Sequence, residues 1–138
     1  MEKTKIIIKT KSKSYPIYFG DGILNKTGKL VKNKLPNVKK IAIISDTKVP
    51  SIFLKKLSKS LKKYNLKIYK VVAKEKTKSF EVANKLIEKL LQNNLNRSDC
   101  IISFGGGIIG DLSAFVSNLT KRGIKFVNIP TTLLAQVD

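Results

Sequence analysis

The chain has 138 residues, 42% of them apolar, which suits one domain with an ordinary hydrophobic core and excludes a disordered polymer. Its formal net charge is +19, from 28 basic and 9 acidic residues; the basic ones are lysines except Arg97 and Arg122, scattered without interleaved aromatics, so they read as a solvated surface rather than a specific nucleic-acid site. No apolar run approaches the roughly 20 residues that span a bilayer, and Ile6–Ile8 is too short for a secretory signal, so a soluble cytoplasmic protein is expected.

In chain order, Lys5–Lys9 and Tyr15–Phe19 read as two strands of a hairpin joined by the polar turn Thr10–Ser14, at the edge of the fold. Gly20-Asp21-Gly22 leads into a helix with Ile23, Leu24, Thr27, Leu30, Val31 and Leu35 at helical spacing, ended by Pro36-Asn37. Lys40–Ser45 is a short apolar run of the kind buried on both faces of a parallel sheet. Pro50 opens a helix with Phe53, Leu57, Leu61 and Tyr64 on one face, and Lys67–Val72 is the next strand. Ser79 can cap a helix carrying Val82, Ala83, Leu86, Ile87, Leu90 and Leu91. Cys100–Phe104 is a second buried strand, in which the lone Cys100 reads as an inert thiol. It runs into Gly105-Gly106-Gly107 and a helix from about Gly110 to Leu119. Gly123 breaks the chain, Lys125–Ile129 is the last strand, and Thr131–Asp138 opens one further element. Strands alternating with helices imply βαβ units: an α/β, Rossmann-like, mainly parallel sheet with flanking helices and an amino-terminal hairpin, in one domain spanning 1–138.

Ligands of open α/β sheets bind beyond the carboxyl ends of the strands. The residues just past each strand form a consistent set: Asp46; Glu75 and Lys78; Gly105–Gly107 with Asp111; Thr131 and Thr132. Acids suit ribose hydroxyls, and glycines let a backbone approach a pyrophosphate at a helix amino terminus. Gly105–Gly110 fits G-x-G-x-x-G with a strand before it and a helix after it. It departs from the standard dinucleotide fold by lying in the fourth βα unit, with no acid ending the next strand. The competing structural roles are caps of the following helices for Asp46 and Thr131 and a plain surface position for Arg122.

The stretch Phe104–Asp138, FGGGIIGDLSAFVSNLTKRGIKFVNIPTTLLAQVD, resembles the central motif block of the 3-dehydroquinate synthases, with GGGIIGD, Arg-Gly and PTTLLAQVD at that family's spacing. Tyr15-Pro16-Ile17 with Gly20 and Gly22, Ser45-Asp46 with Val49, and Glu75 with Lys78 agree with it. Two positions depart from the family pattern: Ala73-Lys74 stands where Asp-Gly is usual, and Lys76-Thr77 where a polar-aromatic pair is common.

The resemblance implies an NAD-dependent lyase of the shikimate pathway, which turns 3-deoxy-D-arabino-heptulosonate 7-phosphate into 3-dehydroquinate and phosphate. It implies that Asp46, Glu75 and Lys78 contact the NAD ribose region. Gly106, Gly107, Ile108 and Asp111 would hold the pyrophosphate side, and Thr131 and Thr132 the nicotinamide side. Arg122 matches an arginine reaching the substrate phosphate of a neighbouring subunit in a homodimer, and Asp138 a substrate-contacting aspartate. The family's zinc or cobalt is held by a glutamate and two histidines of a helical carboxyl-terminal domain. With no histidine here, the expectation is an NAD-binding portion truncated before that domain and inactive alone, with an apolar patch where the domain would sit. The catalytic and metal-ligating residues are accordingly expected outside this sequence. Another sugar-phosphate cyclase, an iron-type polyol dehydrogenase and a non-catalytic basic binding module are the competing readings.

Overall fold

The alternation of apolar and polar runs sets the architecture. In the computed structural model, which describes residues 4–137, β1 (Thr4–Lys9) and β2 (Ser14–Phe19) pair antiparallel, with Ile6 opposite Ile17 and Ile8 opposite Tyr15. The hairpin is a two-stranded sheet of its own rather than an edge of the main sheet. Ile6, Tyr15, Ile17 and Phe19 share one of its faces and are all more than 40% exposed. A 3-10 turn, Ile23–Lys26, precedes α1 (Thr27–Lys34). The first helix is therefore shorter than its periodicity suggests.

The main sheet contains β3 (Lys40–Asp46), β4 (Asn65–Val71), β5 (Cys100–Gly105) and β6 (Lys125–Pro130), all parallel, in the order β4-β3-β5-β6. β3 and β5, the two most apolar runs, take the centre, as strands buried on both faces must. The connecting helices are α2 (Ser51–Ser60), α3 (Phe80–Gln92) and α4 (Gly107–Leu119), and α5 (Leu133–Val137) follows β6.

Strand alternation divides the core into two layers. Ala42, Ile44 and Ile101 face α3 and α4, meeting Leu86, Leu90, Ile109, Leu112 and Val116. Ile41, Ile43, Cys100, Ile102 and Phe104 face α1 and α2, meeting Val31, Leu54, Leu57 and Leu61. The buried stripe of α2 is thus Leu54–Leu57, with Leu61 just past the helix; Phe53 is 42% exposed and Tyr64 lies beyond the helix end. Leu91 likewise points outward from α3. Ser79 caps α3 as its position suggests, its hydroxyl accepting from the Val82 N–H at 3.2 Å. Leu133 and Leu134 of α5 are 79% and 81% exposed.

Asp99 closes the opposite, amino-terminal edge of the sheet. Only 2% exposed, its carboxylate accepts from the N–H groups of Lys40 at 2.9 Å, Lys39 at 3.3 Å and Asn96 at 2.8 Å. A buried carboxylate is tolerated because donors surround it. The Cys100 thiol beside it is pushed up to about 12, first by burial and then by the charge of Asp99, against the opposing pull of Lys125. It is therefore protonated and inert at neutral pH.

Candidate functional site

β3 and β5 are neighbours, yet the chain leaves them toward opposite faces, to α2 after β3 and to α4 after β5. Such a reversal opens a crevice at the carboxyl edge of the sheet, the place where open α/β folds take ligands. Asp46 ends β3 and Gly105 ends β5 at this switch point. A Cβ at Gly105 would lie 2.9 Å from the Ile109 Cβ and 3.1 Å from the Asp46 Cβ. One at Gly106 would meet Thr132 Cγ2 at 3.3 Å. The Thr131 N–H donates to the Gly105 carbonyl at 2.9 Å. Asp46, the glycine run and Thr131–Thr132 are thus one cluster drawn from three strand ends.

α4 begins at Gly107, three residues earlier than the helical pattern suggests, with Gly106 as its N-cap. No side chain caps this terminus and no acid sits in its first turn. The Gly110 N–H reaches the Gly106 carbonyl at 3.0 Å, leaving the N–H groups of Gly107, Ile108 and Ile109 without an intrahelical acceptor. Gly106 has φ −80°, open to any residue. The glycines here supply room, not left-handed backbone; that role falls to Gly22 at φ 71° and Gly123 at φ 109°.

Asp46, Thr132, Lys78 and Asp111 of the rim have defined side-chain partners. Asp46 Oδ1 accepts from the Lys48 N–H at 3.0 Å, so it caps the turn after β3 and not α2, whose N-cap is Pro50. Thr132, rather than Thr131, caps α5: its hydroxyl accepts from the Ala135 N–H at 3.2 Å. Lys78 Nζ and Asp111 Oδ2 form an ion pair at 2.9 Å that ties the β4–α3 loop to α4. Exposed Glu75 stands on the same loop, opening a 3-10 turn through Thr77.

Sequence patterns gave no sign of two polar contacts behind the rim. The Thr77 hydroxyl donates to the Val72 carbonyl at 2.6 Å and accepts from the Lys74 N–H at 3.0 Å, closing the loop that carries Glu75 and Lys78. Ser103, fully buried on β5, donates to Asn128 Oδ1 on β6 at 2.7 Å. Only the register Ser103↔Asn128 reveals the second pair.

Arg122 does not join this cluster. It follows α4, 13 residues or roughly 20 Å of helix away, at the amino-terminal edge of the sheet. Lys121 and Arg122 both take positive φ, 50° and 62°, clamped between buried Thr120 and Ile124. An open cleft of about 550 Å³ lies alongside, lined by Arg97, Ser98 and Lys125 among others. Asp138 lies outside the described residues. Among the described residues no group of three His, Cys, Asp or Glu could hold a metal ion, and no helix is long and apolar enough to cross a membrane.

The sheet order, the crevice and the glycine-lined helix start define a Rossmann-like α/β protein of the kind that binds nucleotides at a switch point. The chain belongs to the 3-dehydroquinate synthase family: residues 68–138 match the model described as 3-dehydroquinate synthase N-terminal. It is 42% identical over 134 residues to a 3-dehydroquinate synthase of Pelagibacter ubique, covering 97% of this chain and 36% of that protein. With one from Thermoanaerobacter sp. the identity is 44% over 135 residues, covering 96% and 38%. The chain therefore spans little more than a third of the length of these relatives. A crystal structure of 2-deoxy-scyllo-inosose synthase complexed with carbaglucose-6-phosphate, NAD+ and Co2+ superimposes with a TM-score of 0.89 at 24% identity, over 98% of this chain and 36% of that one. That likeness establishes the fold.

Proposed function

We propose that residues 1–138 are the NAD-binding portion of a 3-dehydroquinate synthase, the enzyme that converts 3-deoxy-D-arabino-heptulosonate 7-phosphate to 3-dehydroquinate and phosphate. One observation carries the reading: a glycine cradle that a Cβ would fill, set at the β3/β5 switch point between Asp46 and Thr131–Thr132. The 42–44% identity to 3-dehydroquinate synthases favours this activity over those of other cyclases and of iron-type dehydrogenases.

The residues fit the cofactor. The N–H groups of Gly107 and Ile108, at a helix start with no acid in its first turn, receive the pyrophosphate, while Gly105 lets that helix start pack against Asp46 and Gly106 leaves no side chain between it and Thr132. Asp46 offers its second carboxylate oxygen, which has no partner among the described residues, to a ribose hydroxyl. Glu75 extends that acidic side, and Lys78, paired with Asp111, offsets negative charge. The Thr131 and Thr132 hydroxyls serve the nicotinamide side. When bound, NAD supplies a reversible hydride acceptor for a hydroxyl of the sugar ring.

Arg122, projecting from the far edge, is assigned to the substrate phosphate of a neighbouring subunit in a homodimer, for which a planar guanidinium is suited. Asp138 is assigned to the substrate. The zinc or cobalt expected of the activity has no ligand set among the described residues, so no step through a metal is placed on this chain.

Titration of the chain with NAD, beside DNA at two salt concentrations, tests the reading. A ligand at 100 times its Kd stabilises by about 2.7 kcal/mol, so NAD is expected to raise Tm by roughly 10 °C. Absence of any NAD effect together with tight, salt-sensitive DNA binding overturns the proposal in favour of a basic binding module.

A further inference from the structure

The pair behind the glycine run does more than satisfy a buried hydroxyl. Ser103 is fully buried in the otherwise apolar strand β5 and donates to Asn128 Oδ1 at 2.7 Å, which turns the Asn128 oxygen inward. The same oxygen lies against the first turn of α4: a Cβ on Gly110 would sit 3.3 Å from Asn128 Oδ1 and 3.9 Å from its Nδ2. Gly110 therefore leaves room for the Asn128 side chain between β6 and α4. Gly110 is also bonded to the N-cap, its N–H reaching the Gly106 carbonyl at 3.0 Å. Two hydrogen bonds, Ser103 to Asn128 and Gly110 to Gly106, are thus joined by the close approach of Asn128 to the place a Gly110 Cβ would take, and the second ends where the open N–H groups begin.

We infer that Asn128 is a positioning residue for the cofactor: anchored by Ser103, it acts as the spacer that sets the height of the first turn of α4 above the sheet. Through that height it aims the N–H groups of Gly107, Ile108 and Ile109 at the crevice. Hydrogen bonds weaken steeply with misalignment, so a displacement of a few tenths of an ångström at Gly110 weakens several of them together. Asn128 is exposed on an edge strand yet accepts from fully buried Ser103, so its removal also costs stability, and its effect on aim is read from NAD affinity in the folded protein.

The inference rests on the NAD reading above, and a double-mutant cycle in the 138-residue chain separates the two. Gly110→Ala adds a Cβ that presses on Asn128; Asn128→Ser removes the spacer; the double variant lets the smaller side chain make room for the added Cβ. Each single variant is expected to bind NAD about fivefold more weakly in the folded protein, and the double variant to recover most of that loss. Asn128→Ser, alone or in the double variant, also lowers Tm by leaving the buried Ser103 hydroxyl unpaired. If the parent binds NAD and all three variants bind it equally well, Asn128 has no positioning role. The same holds if Tm falls in the single variants while NAD affinity in the folded protein stays unchanged, since the contact is then structural only. If the parent itself does not bind NAD, the cofactor reading falls and this inference falls with it.

Discussion

Gly106→Ala separates room for a ligand from stability of the fold. The backbone at Gly106, φ −80° and ψ −165°, accepts alanine without strain. The new Cβ would stand 3.3 Å from Thr132 Cγ2 and 3.6 Å from its Oγ1. Thr132 is exposed, held there by its bond to the Ala135 N–H in the short helix α5, so a shift of a few tenths of an ångström costs little. Alanine is a poorer N-cap than glycine by about 0.5 kcal/mol, but it restricts the unfolded chain by a similar amount, so the unfolding free energy should change by less than about 1 kcal/mol. Binding is affected differently. In the proposed site a pyrophosphate would come within about 3 Å of the amide nitrogens of Gly107 and Ile108, and a methyl group on the preceding residue, wedged against Thr132, is expected to narrow that approach. Losing one charge-assisted bond at about 1.5–3 kcal/mol weakens NAD roughly 10- to 100-fold. Calorimetric titration beside thermal melting measures both quantities, and an unchanged Kd in the folded variant refutes the cradle. Gly105→Ala is the contrasting control. Its Cβ meets the Cβ atoms of Ile109 and Asp46, which belong to two different elements, at 2.9 and 3.1 Å in a fully buried strand end. Overpacking there costs about 1–3 kcal/mol and should appear as a lower Tm.

Three further outcomes follow from the geometry. Asp99→Ala strips the acceptor from three backbone N–H groups in a buried site and should lower unfolding free energy by about 2–4 kcal/mol in a denaturant titration; a loss under 1 kcal/mol would show that water replaces it. Cys100 should resist thiol reagents at pH 8 until the chain unfolds. Its thiol ionises near 9.0 when unfolded and only near about 12 when folded, so the folded state holds the extra proton between those values. Stability from this group is complete below pH 9 and is lost as pH rises toward 12, by at most about 1.4 kcal/mol per unit, a component that Cys100→Ala should abolish. Lys78→Met breaks an exposed ion pair, so stability should move by less than about 1 kcal/mol while NAD binding weakens and loses part of its salt dependence; an unchanged Kd would restrict Lys78 to tethering its loop.

Most strands and helices are legible locally, because apolar runs and 3.6-residue spacing report burial directly. Lys40–Ser45 and Cys100–Phe104 read as strands buried on both faces and Ser79 as a helix cap, and the structure agrees. The glycine run after β5 likewise announces a helix start with room beside it. Local pattern fails where two elements compete for one face. Phe53 and Leu54 are both apolar, and only the crossing of α2 over β3 buries the second. Thr131 and Thr132 are equivalent in sequence, and the path out of β6 gives the cap to Thr132 and the bond with Gly105 to Thr131.

The sequence by itself determined the α/β class, the family and the residues of the rim, since each is written in consecutive positions. Tertiary structure alone decided that β3 lies beside β5, which brings Asp46, Gly105 and Thr132 into one crevice and leaves Arg122 at the other end of α4. It also decided that Ser103 meets Asn128, a pair 25 positions apart. Strand order and register arise from burying both faces of the sheet at once, a condition on the whole chain that no local stretch of it can express.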